Sequence, residues 1–583
     1  MNKHQDYLLN QISSPQDLKM LNLTDLEKLA AEIRTLILEK DAVTGGHLGP
    51  DLGIVEATIA YHYVFNAPQD KIIWDVSHQT YPHKMLTGRA QAWLDSEHYQ
   101  DVSPYSSPDE SPYDYYTVGH TSTSIALATG MAKARDLSGG HENIMALIGD
   151  GSLTGGLAYE GLNNAAIEKH NLVIVINDNQ WSIDQNVGGL VTALKKLRDS
   201  NGQTAENPFT ALGFDYRYVA EGNNIKSLIE AFRAVKDVDH PIVLHINTLK
   251  GKGYQPAIAE EEAHHWVAPF DLTNDQPLQK NPATPTVNSV ILDVITQQIK
   301  NGKQVMAIDA AIPGVFDLEN FKKDYPDNYT DVGIAEQESI AFAAGFAKEG
   351  GIPILLENST FLQRAFDQLS HDVAANDLPV VMLVAGGGIS NQSKTHLGIF
   401  DQVMISNLPN WVYLAPTNLA EEKAMLLWAL KQRNHPIAIK LPVNDVPQTP
   451  QQNQKVIVDY DQINYQINWG KDVAVLALGD FYSLGKSIAD QLGATLVNPL
   501  AANILDYQSL DILAQKHQII ITLEDNILDG GFGQKVAAYL GPKNISVLNY
   551  GQKRVYTDQT PINETYLQNH LTVEQILQDL KTV

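Results

Sequence analysis

Residues 147–156 read LIGDGSLTGG. A glycine-rich turn after an apolar run usually cradles phosphate with its backbone amides. Here Asp150 stands between two of the glycines, where its charge would repel a phosphate. A divalent cation between acid and phosphate removes that conflict, and it predicts further oxygen ligands downstream. IMALI (144–148) reads as a buried strand. GLAYEGLNNAAIEK (156–169) reads as a helix with Leu157, Leu162 and Ala165 or Ala166 on one face. Asp150 then sits at the carboxyl end of a strand, the end at which open α/β sheets bind ligands. The next strand, LVIVI (172–176), runs into Asn177-Asp178-Asn179. Adjacent parallel strands would bring Asp150 and Asn179 to one ion, with a backbone carbonyl as a third ligand. Hard oxygen ligands completed by phosphate are the usual way to hold Mg²⁺. The spacing fits a dinucleotide-binding G-x-G-x-x-G turn poorly.

Working outward, short apolar runs alternate with helix-period segments along the whole chain. NIMALIGDG, NLVIVIND and PIVLHINT lie in the first part, IPILLEN and LPVVMLVAGGG in the second, DVAVLALGD, ATLVN and QIIITLED in the third. Continuous apolar strands with helices between them predict parallel sheets covered on both faces. TNDQPLQKNPATPTVN (273–288) and NDVPQTPQQNQK (444–455) are polar and proline-bearing, as inter-domain connections are. The expectation is three doubly wound α/β domains in series, 1–275, 288–445 and 455–583, consistent with 583 residues being too many for one core.

The formal charge of −27 argues against nucleic acid or an anionic membrane as partner. The absence of cysteine excludes disulfides, thiolate metal sites and cysteine nucleophiles, and fits a reducing cytoplasm. No apolar run approaches the ~18–20 residues of a membrane span. The polar N-terminus, MNKHQDYLLNQISSPQ, lacks the apolar segment of a signal peptide. The expectation is a soluble cytoplasmic protein.

With these residues in hand, Gly-Asp-Gly followed by Asn-Asp-Asn at the next strand end looks like the signature of the thiamine-diphosphate fold. The chain resembles the 1-deoxy-D-xylulose-5-phosphate synthases, relatives of transketolase. The resemblance rests on long motifs: GGHLGPDLGIVEATIAYHYVFN (45–66), IWDVSHQTYPHKMLTGR (73–89), VGHTSTSIALATG (118–130), GDGSLTGGLAYEGLNNA (149–165), NDNQWSI (177–183), IAEQES (334–339) and STFLQRAFDQLSHDVA (359–374). It implies a diphosphate-binding domain, a pyrimidine-binding domain and a C-terminal domain of transketolase type. It also implies thiamine diphosphate and Mg²⁺ as cofactors, and a homodimer. The implied reaction decarboxylates pyruvate and joins the two-carbon unit to glyceraldehyde 3-phosphate, giving 1-deoxy-D-xylulose 5-phosphate and CO₂.

The resemblance also distributes roles. Asp150 and Asn179 match the Mg²⁺ ligands, with the Trp181 carbonyl as third. Gly119, His120 and Ser122 of GHTSTS, together with Gly151, Ser152, Ile183 and Lys250, fall near the cofactor, Ile183 propping its bent form and Lys250 approaching the diphosphate. Glu336 opens a nearly apolar helix, where a buried carboxyl tends to hold its proton. The resemblance sets it against the aminopyrimidine ring, with Phe361 stacked on that ring. His47, His78, His265 and His396 are read as proton-transfer and substrate-binding groups, with His264 as the alternative to His265 and His78 also near the cofactor. Arg364 is a candidate for the substrate mouth or for a structural ion pair.

Departures from the family cluster in the middle domain. Asn358 stands where the family has Tyr. The arginine expected in VAGGGISN (384–391) is missing, Gln392 replaces an Asp, and Val443 replaces a second Arg. The segment between SIDQNVGGL and NPFTALGFDY is also shorter than in the family. Tyr and the two Arg are the residues expected to hold the acceptor's phosphate, leaving Lys394 and Lys440 as the nearby cations. A synthase-like paralogue with another donor or a less phosphorylated aldehyde is therefore the alternative reading. A non-catalytic cofactor-binding protein is a third, disfavoured by the retained acids and histidines.

Overall fold

A computed structural model describes residues 4–169, 171–278, 286–442, 447 and 455–582. It divides into two compact units, residues 1–281 with 333–335, and residues 282–332 with 336–583.

The first unit is built on five parallel strands, β1 (Lys71–Trp74), β2 (Ile144–Gly149), β3 (Leu172–Asp178), β4 (Asp215–Val219) and β5 (Pro241–Asn247), in the order β1-β2-β3-β5-β4. Strand side chains alternate between faces, and both faces here are apolar. Met145, Leu147, Val173, Val175, Leu244 and Ile246 share a core with the helices Leu23–Thr44, Leu48–Val64 and Ile225–Val235. Ala146, Ile148, Ile174, Ile176 and Val243 pack on the other side against Ile125, Ala128, Leu162, Leu194 and Leu197. Burying one such aliphatic side chain is worth about 1.5–3 kcal/mol. A two-residue antiparallel pair, β6 (Phe270–Asp271) and β7 (Gln276–Pro277), follows.

The helix after β2 spans Gly156–Ala165 and corrects the expected face. Leu157 is 39 % exposed, and the buried row is Ala158, Gly161, Leu162 and Ala165. Spacings of three and four close that row, whereas Leu157 and Leu162 lie five apart, on different faces. A Cβ at Gly161 would come within 3.1 Å of Ile125, so glycine lets the helix lie close.

The second unit holds two sheets. Parallel strands β8 (Val305–Asp309), β9 (Tyr329–Asp331), β10 (Ile352–Asn358), β11 (Val381–Ala385), β12 (Val412–Leu414) and β13 (Ile437–Lys440) take the order β12-β13-β11-β10-β8-β9. Strands β14 (Gln466–Asn468), β15 (Val473–Ala477), β16 (Thr495–Asn498), β17 (Ile519–Ile527) and β18 (Ser546–Gln552) take the order β14-β16-β15-β17-β18, with β14 antiparallel at the edge. Ala415 and Ala502 donate backbone hydrogen bonds to Leu500 and Tyr413, tying the sheets together, and one apolar core includes residues of both.

A buried ionic group locks the same joint. Lys440 Nζ lies 3.0 Å from Asp525 Oδ2 and donates to the Gly387 carbonyl at 2.6 Å. Asn526 donates to Asp401 Oδ1 at 2.7 Å, and the Tyr413 hydroxyl donates to Asp401 Oδ2. The Asp525 and Asp401 charges outweigh the burial that opposes the Lys440 ammonium and hold its pKa above the ordinary lysine value. Removing one partner of a buried pair strands the other charge, at a cost of about 3–5 kcal/mol. Lys440→Met is therefore expected to lower the urea midpoint of the second unit by a loss of that size. An unchanged midpoint would contradict the assignment.

Candidate active site

The first unit gathers its site residues at the carboxyl ends of β1, β2 and β3. The β2–β3 register pairs Gly149 with Asn177, and the Asp150 amide donates to the Asn177 carbonyl at 3.1 Å. Asp150 is buried and accepts from the Gly151 amide at 3.0 Å and the Gln180 amide at 2.6 Å. Asn179 is half-buried, its Oδ1 accepting from the Trp181 amide at 3.1 Å. The Gln180 contact thus joins the turn of Asp150 to the turn that carries Asn179 and Trp181. A Cβ at Gly151 would fall 2.6 Å from that of Ser182, so only glycine lets the two loops close.

Burial, reinforced by the neighbouring Asp178 carboxylate, pushes Asp150 well above the ordinary carboxylate range. Burial acts on Asp178 too, but His245 Nε2 at 2.9 Å and Arg198 Nη1 at 2.5 Å outweigh it and leave Asp178 below that range. Asp178 Oδ1 and Asn186 Oδ1 are buried without a hydrogen-bond partner. Among the described residues no cluster of three His, Cys, Asp or Glu side chains is placed to hold a metal. A cation here would rest on one carboxylate, an amide oxygen and a carbonyl, with phosphate and water completing its shell. That donor set suits Mg²⁺.

Lys250 is fully buried, donates to the Ser182 carbonyl at 2.8 Å and lies 5.7 Å from the Trp181 ring centre. Burial lowers its pKa to about 8. Ile183 is half-buried on the same loop. Gly119 is buried and His120 half-buried in the irregular stretch before Ser122. Ser122 has φ +74°, takes Asp75 Oδ1 on its amide at 2.7 Å and donates its hydroxyl to the Ser152 carbonyl at 2.8 Å. Its hydroxyl and its backbone amide together tie the phosphate-type turn to the β1 loop.

Three of the four histidines meet. Ring centres of His47 and His78 are 4.8 Å apart, of His78 and His265 5.3 Å, and of His47 and His265 5.6 Å, with Tyr105 5.9 Å from His47. His78 Nδ1 donates to Gln79 Oε1 at 2.7 Å, and Gln79 Nε2 donates to the Asp75 carbonyl at 3.0 Å. Burial depresses His265 well below the ordinary value, so it stays neutral. His264 instead bonds Asp275 at 2.9 Å and the Glu260 carbonyl at 2.9 Å, a structural role that assigns the cluster position to His265.

The second unit carries the other group. Glu336 is the first residue of the helix Glu336–Lys348 and is 3 % exposed. Burial raises its pKa, partly offset by Arg364, whose Nη1 lies 3.5 Å from Oε2. Phe361 packs edge-on to His396 with ring centres 5.7 Å apart. Burial lowers His396 to about 4, and Thr395 Oγ1 lies 2.8 Å from its Nδ1.

The remaining substrate candidates are not gathered here. Lys394 sits on a loop whose backbone amide donates to Asp558 at 3.0 Å. Lys440 is 2 % exposed and held by Asp525, so it is not available to a substrate phosphate, a correction to the expectation. Asn358 caps the short helix Ser359–Leu362, its Oδ1 accepting from the Thr360 amide at 3.1 Å. Gln392 is exposed, and Val443 lies outside the described residues.

Sequence reasoning missed several supporting groups. Asp75 accepts the Ser122 and Ser124 amides, at 2.7 and 3.0 Å, and anchors a loop in which Val76 and Ser77 both have positive φ. Such non-glycine strain costs about 1–3 kcal/mol per residue and persists only where surrounding contacts enforce it. Here it places His78. Asp178, with His245 and Arg198, and the second acid beside Glu336, Glu357, were likewise unread.

Comparison with known proteins places this geometry. Family models described as the transketolase thiamine diphosphate binding domain, pyrimidine binding domain and C-terminal domain match residues 118–305, 283–448 and 462–576. The fold and site thus define an enzyme of the transketolase type, with the thiamine-diphosphate-binding domains of that class. A further model, described as 1-deoxy-D-xylulose-5-phosphate synthase, matches residues 9–207. Proteins named 1-deoxy-D-xylulose-5-phosphate synthase from Natranaerobius thermophilus and Acidobacterium capsulatum are 37 % and 35 % identical, over 92 % and 98 % of this chain and 92 % and 97 % of their own lengths. One named 1-deoxy-D-xylulose-5-phosphate synthase 1, from Geobacter sulfurreducens, is 37 % identical over 95 % of this chain and 94 % of its own. The chain belongs to the 1-deoxy-D-xylulose-5-phosphate synthase family.

Proposed function

We propose that this chain is a thiamine-diphosphate- and Mg²⁺-dependent 1-deoxy-D-xylulose-5-phosphate synthase. It decarboxylates pyruvate and joins the two-carbon unit to glyceraldehyde 3-phosphate, giving 1-deoxy-D-xylulose 5-phosphate and CO₂. The observation that carries this reading is the nearly full-length match to the family. We read it as a cytoplasmic homodimer; among the described residues no helix is long and apolar enough to cross a membrane. Sedimentation at micromolar protein should give twice the 64.2 kDa chain mass.

When bound, thiamine diphosphate supplies the electron sink for decarboxylation and two-carbon transfer. Asp150, Asn179 and the Trp181 carbonyl would hold Mg²⁺, and the turn at Gly151 and Ser152 with Lys250 would receive the diphosphate. Glu336 would hold a proton against the aminopyrimidine nitrogen, with Phe361 and Ile183 lining the cofactor. His47, His78 and His265 accept and donate hydrogen bonds to the substrate's carbonyl and hydroxyl groups, His265 as a neutral ring. His396 is neutral as well and orients the donor beside Phe361.

One observation favours the second reading, a relaxed acceptor. A phosphate carries about −1.5 to −2 charges and is held best by bidentate arginines. The two family arginines are replaced, Lys440 is consumed by Asp525, and Asn358 is used as a helix cap. We expect kcat/KM for glyceraldehyde 3-phosphate and for unphosphorylated glyceraldehyde, with pyruvate as donor, to differ by less than about 100-fold, the worth of roughly one charge-assisted contact. A preference of about three orders of magnitude would show a surviving phosphate site. Its loss in Lys394→Ala would show that this lysine rebuilt it.

A further inference from the structure

A second buried acid stands behind Glu336. Strand alternation puts Leu355 and Glu357 of β10 on one side, and Leu355 shares its core with Ile340, Ala343 and Ala344 of the helix Glu336–Lys348. Glu357 therefore meets the first turn of that helix, at Ser339. Ser339 Oγ lies 3.0 Å from Glu357 Oε1 and 2.8 Å from the Glu336 backbone carbonyl. Glu357 is 1 % exposed, and its Oε2 is buried without a partner.

Ser339 has one hydrogen to offer to two acceptors, the Glu336 carbonyl and Glu357 Oε1. A hydroxyl donates one hydrogen and accepts others. If Ser339 donates to the Glu336 carbonyl, the contact with Glu357 is satisfied only when Glu357 carries a proton and donates it to Oγ. The charges facing the pair agree. From the helix Glu336–Lys348 Glu357 meets Glu336, and from β8 it meets Asp309, which accepts from Tyr329 of β9 at 3.1 Å, with Asp331 of β9 beside it. From β11 it meets Val384, which is apolar. Arg364 reaches Glu336 Oε2 at 3.5 Å. Arg364 stands beside Glu336, so Glu336 is the acid of the pair whose ionised form finds support when its proton leaves. Burial and then the Glu336 charge push Glu357 well above the carboxylate range, outweighing the Ser339 hydrogen bond, which favours the ionised form.

We propose that Glu357 is a positioning residue for the reaction: it stays protonated through the neutral range and, through Ser339, fixes the helix turn that presents Glu336, leaving Glu336 as the one acid of the pair that ionises. This rests on the reading of Glu336 as the acid that faces the cofactor.

The test compares Glu357→Gln with Glu357→Leu in the holoenzyme. Glutamine is neutral and can donate to Ser339 Oγ as the acid does. We expect it to keep kcat within about twofold and the acid limb of the kcat/KM profile for pyruvate in place. Leucine removes the donor, and kcat should fall about 10- to 100-fold with KM changed much less, the pattern of a misplaced group. An acid limb moved by about one unit or more in Glu357→Gln would show that Glu357 was ionised and overturn the proposal. So would a Glu357→Leu enzyme with wild-type kcat. If Glu357→Leu does not fold, infrared difference spectra at pH 8 between wild type and Glu357→Gln decide: a carboxylic-acid carbonyl band in the wild type supports the proposal, and its absence contradicts it. Glu336→Gln separates the two readings. If that variant keeps its activity while the Glu357 band persists, the assignment of Glu336 fails and the protonation of Glu357 stands.

Discussion

Glu336→Gln is expected to fold normally and to release CO₂ from pyruvate about 100- to 10,000-fold more slowly than the wild type, the range that a positioned proton-transfer group contributes. The glutamine side chain has the same shape but no proton to share. Burial opposes ionisation of Glu336, offset by Arg364 at 3.5 Å and a backbone hydrogen bond; the Arg364 side chain keeps 20 % of its surface in solvent, so losing its partner should cost little stability. The loss should appear in every turnover, whatever the acceptor, because the proton acts before the acceptor is engaged. A variant whose decarboxylation stays within about threefold of wild type, with cofactor bound, would remove Glu336 from the mechanism.

Asp150→Ala is expected to abolish the Mg²⁺-dependent part of cofactor affinity, at least about 100-fold, since losing even an outer partner of a metal ligand costs 10- to 100-fold. Asp150 is the only carboxylate among the proposed ligands. Its pKa is raised by burial and by Asp178, and a metal ligand must shed its proton before it binds. Acidification therefore protonates Asp150 and weakens Mg²⁺-dependent binding, and raising the pH strengthens it. Calorimetry of thiamine diphosphate binding with and without Mg²⁺, at two pH values, reads both effects. Equal affinity in wild type and variant in the presence of Mg²⁺ would refute the metal assignment.

The strand ends were legible because apolar runs stop abruptly at polar residues: IMALI before Gly149-Asp150 and LVIVI before Asn177. Their neighbouring pairing then followed from parallel α/β topology. Glu336 was legible as an acid opening an apolar helix. What stayed hidden depends on partners far along the chain. Asp75 reads as a strand terminator until the amides of Ser122 and Ser124 are seen to converge on it. The left-handed Val76 and Ser77 carry no glycine to announce them. Lys440 reads as a free cation until Asp525, on a strand of the other sheet, is found beside it. Glu357 ends an apolar strand as many edge acids do, and only Ser339 reveals that it is buried at Glu336. The exposed Leu157 shows the limit of periodicity in a short helix, where one apolar residue in the wrong row changes the inferred face.

The most direct test of the central claim follows carbon. The protein, saturated with thiamine diphosphate and Mg²⁺, is given [2-¹³C]pyruvate and glyceraldehyde 3-phosphate, and the mixture is followed by ¹³C NMR with CO₂ measured in parallel. The label should appear in the ketone carbon of 1-deoxy-D-xylulose 5-phosphate, with one CO₂ released per molecule formed. Label that remains in pyruvate, or CO₂ released without a labelled five-carbon ketose, would contradict the assignment.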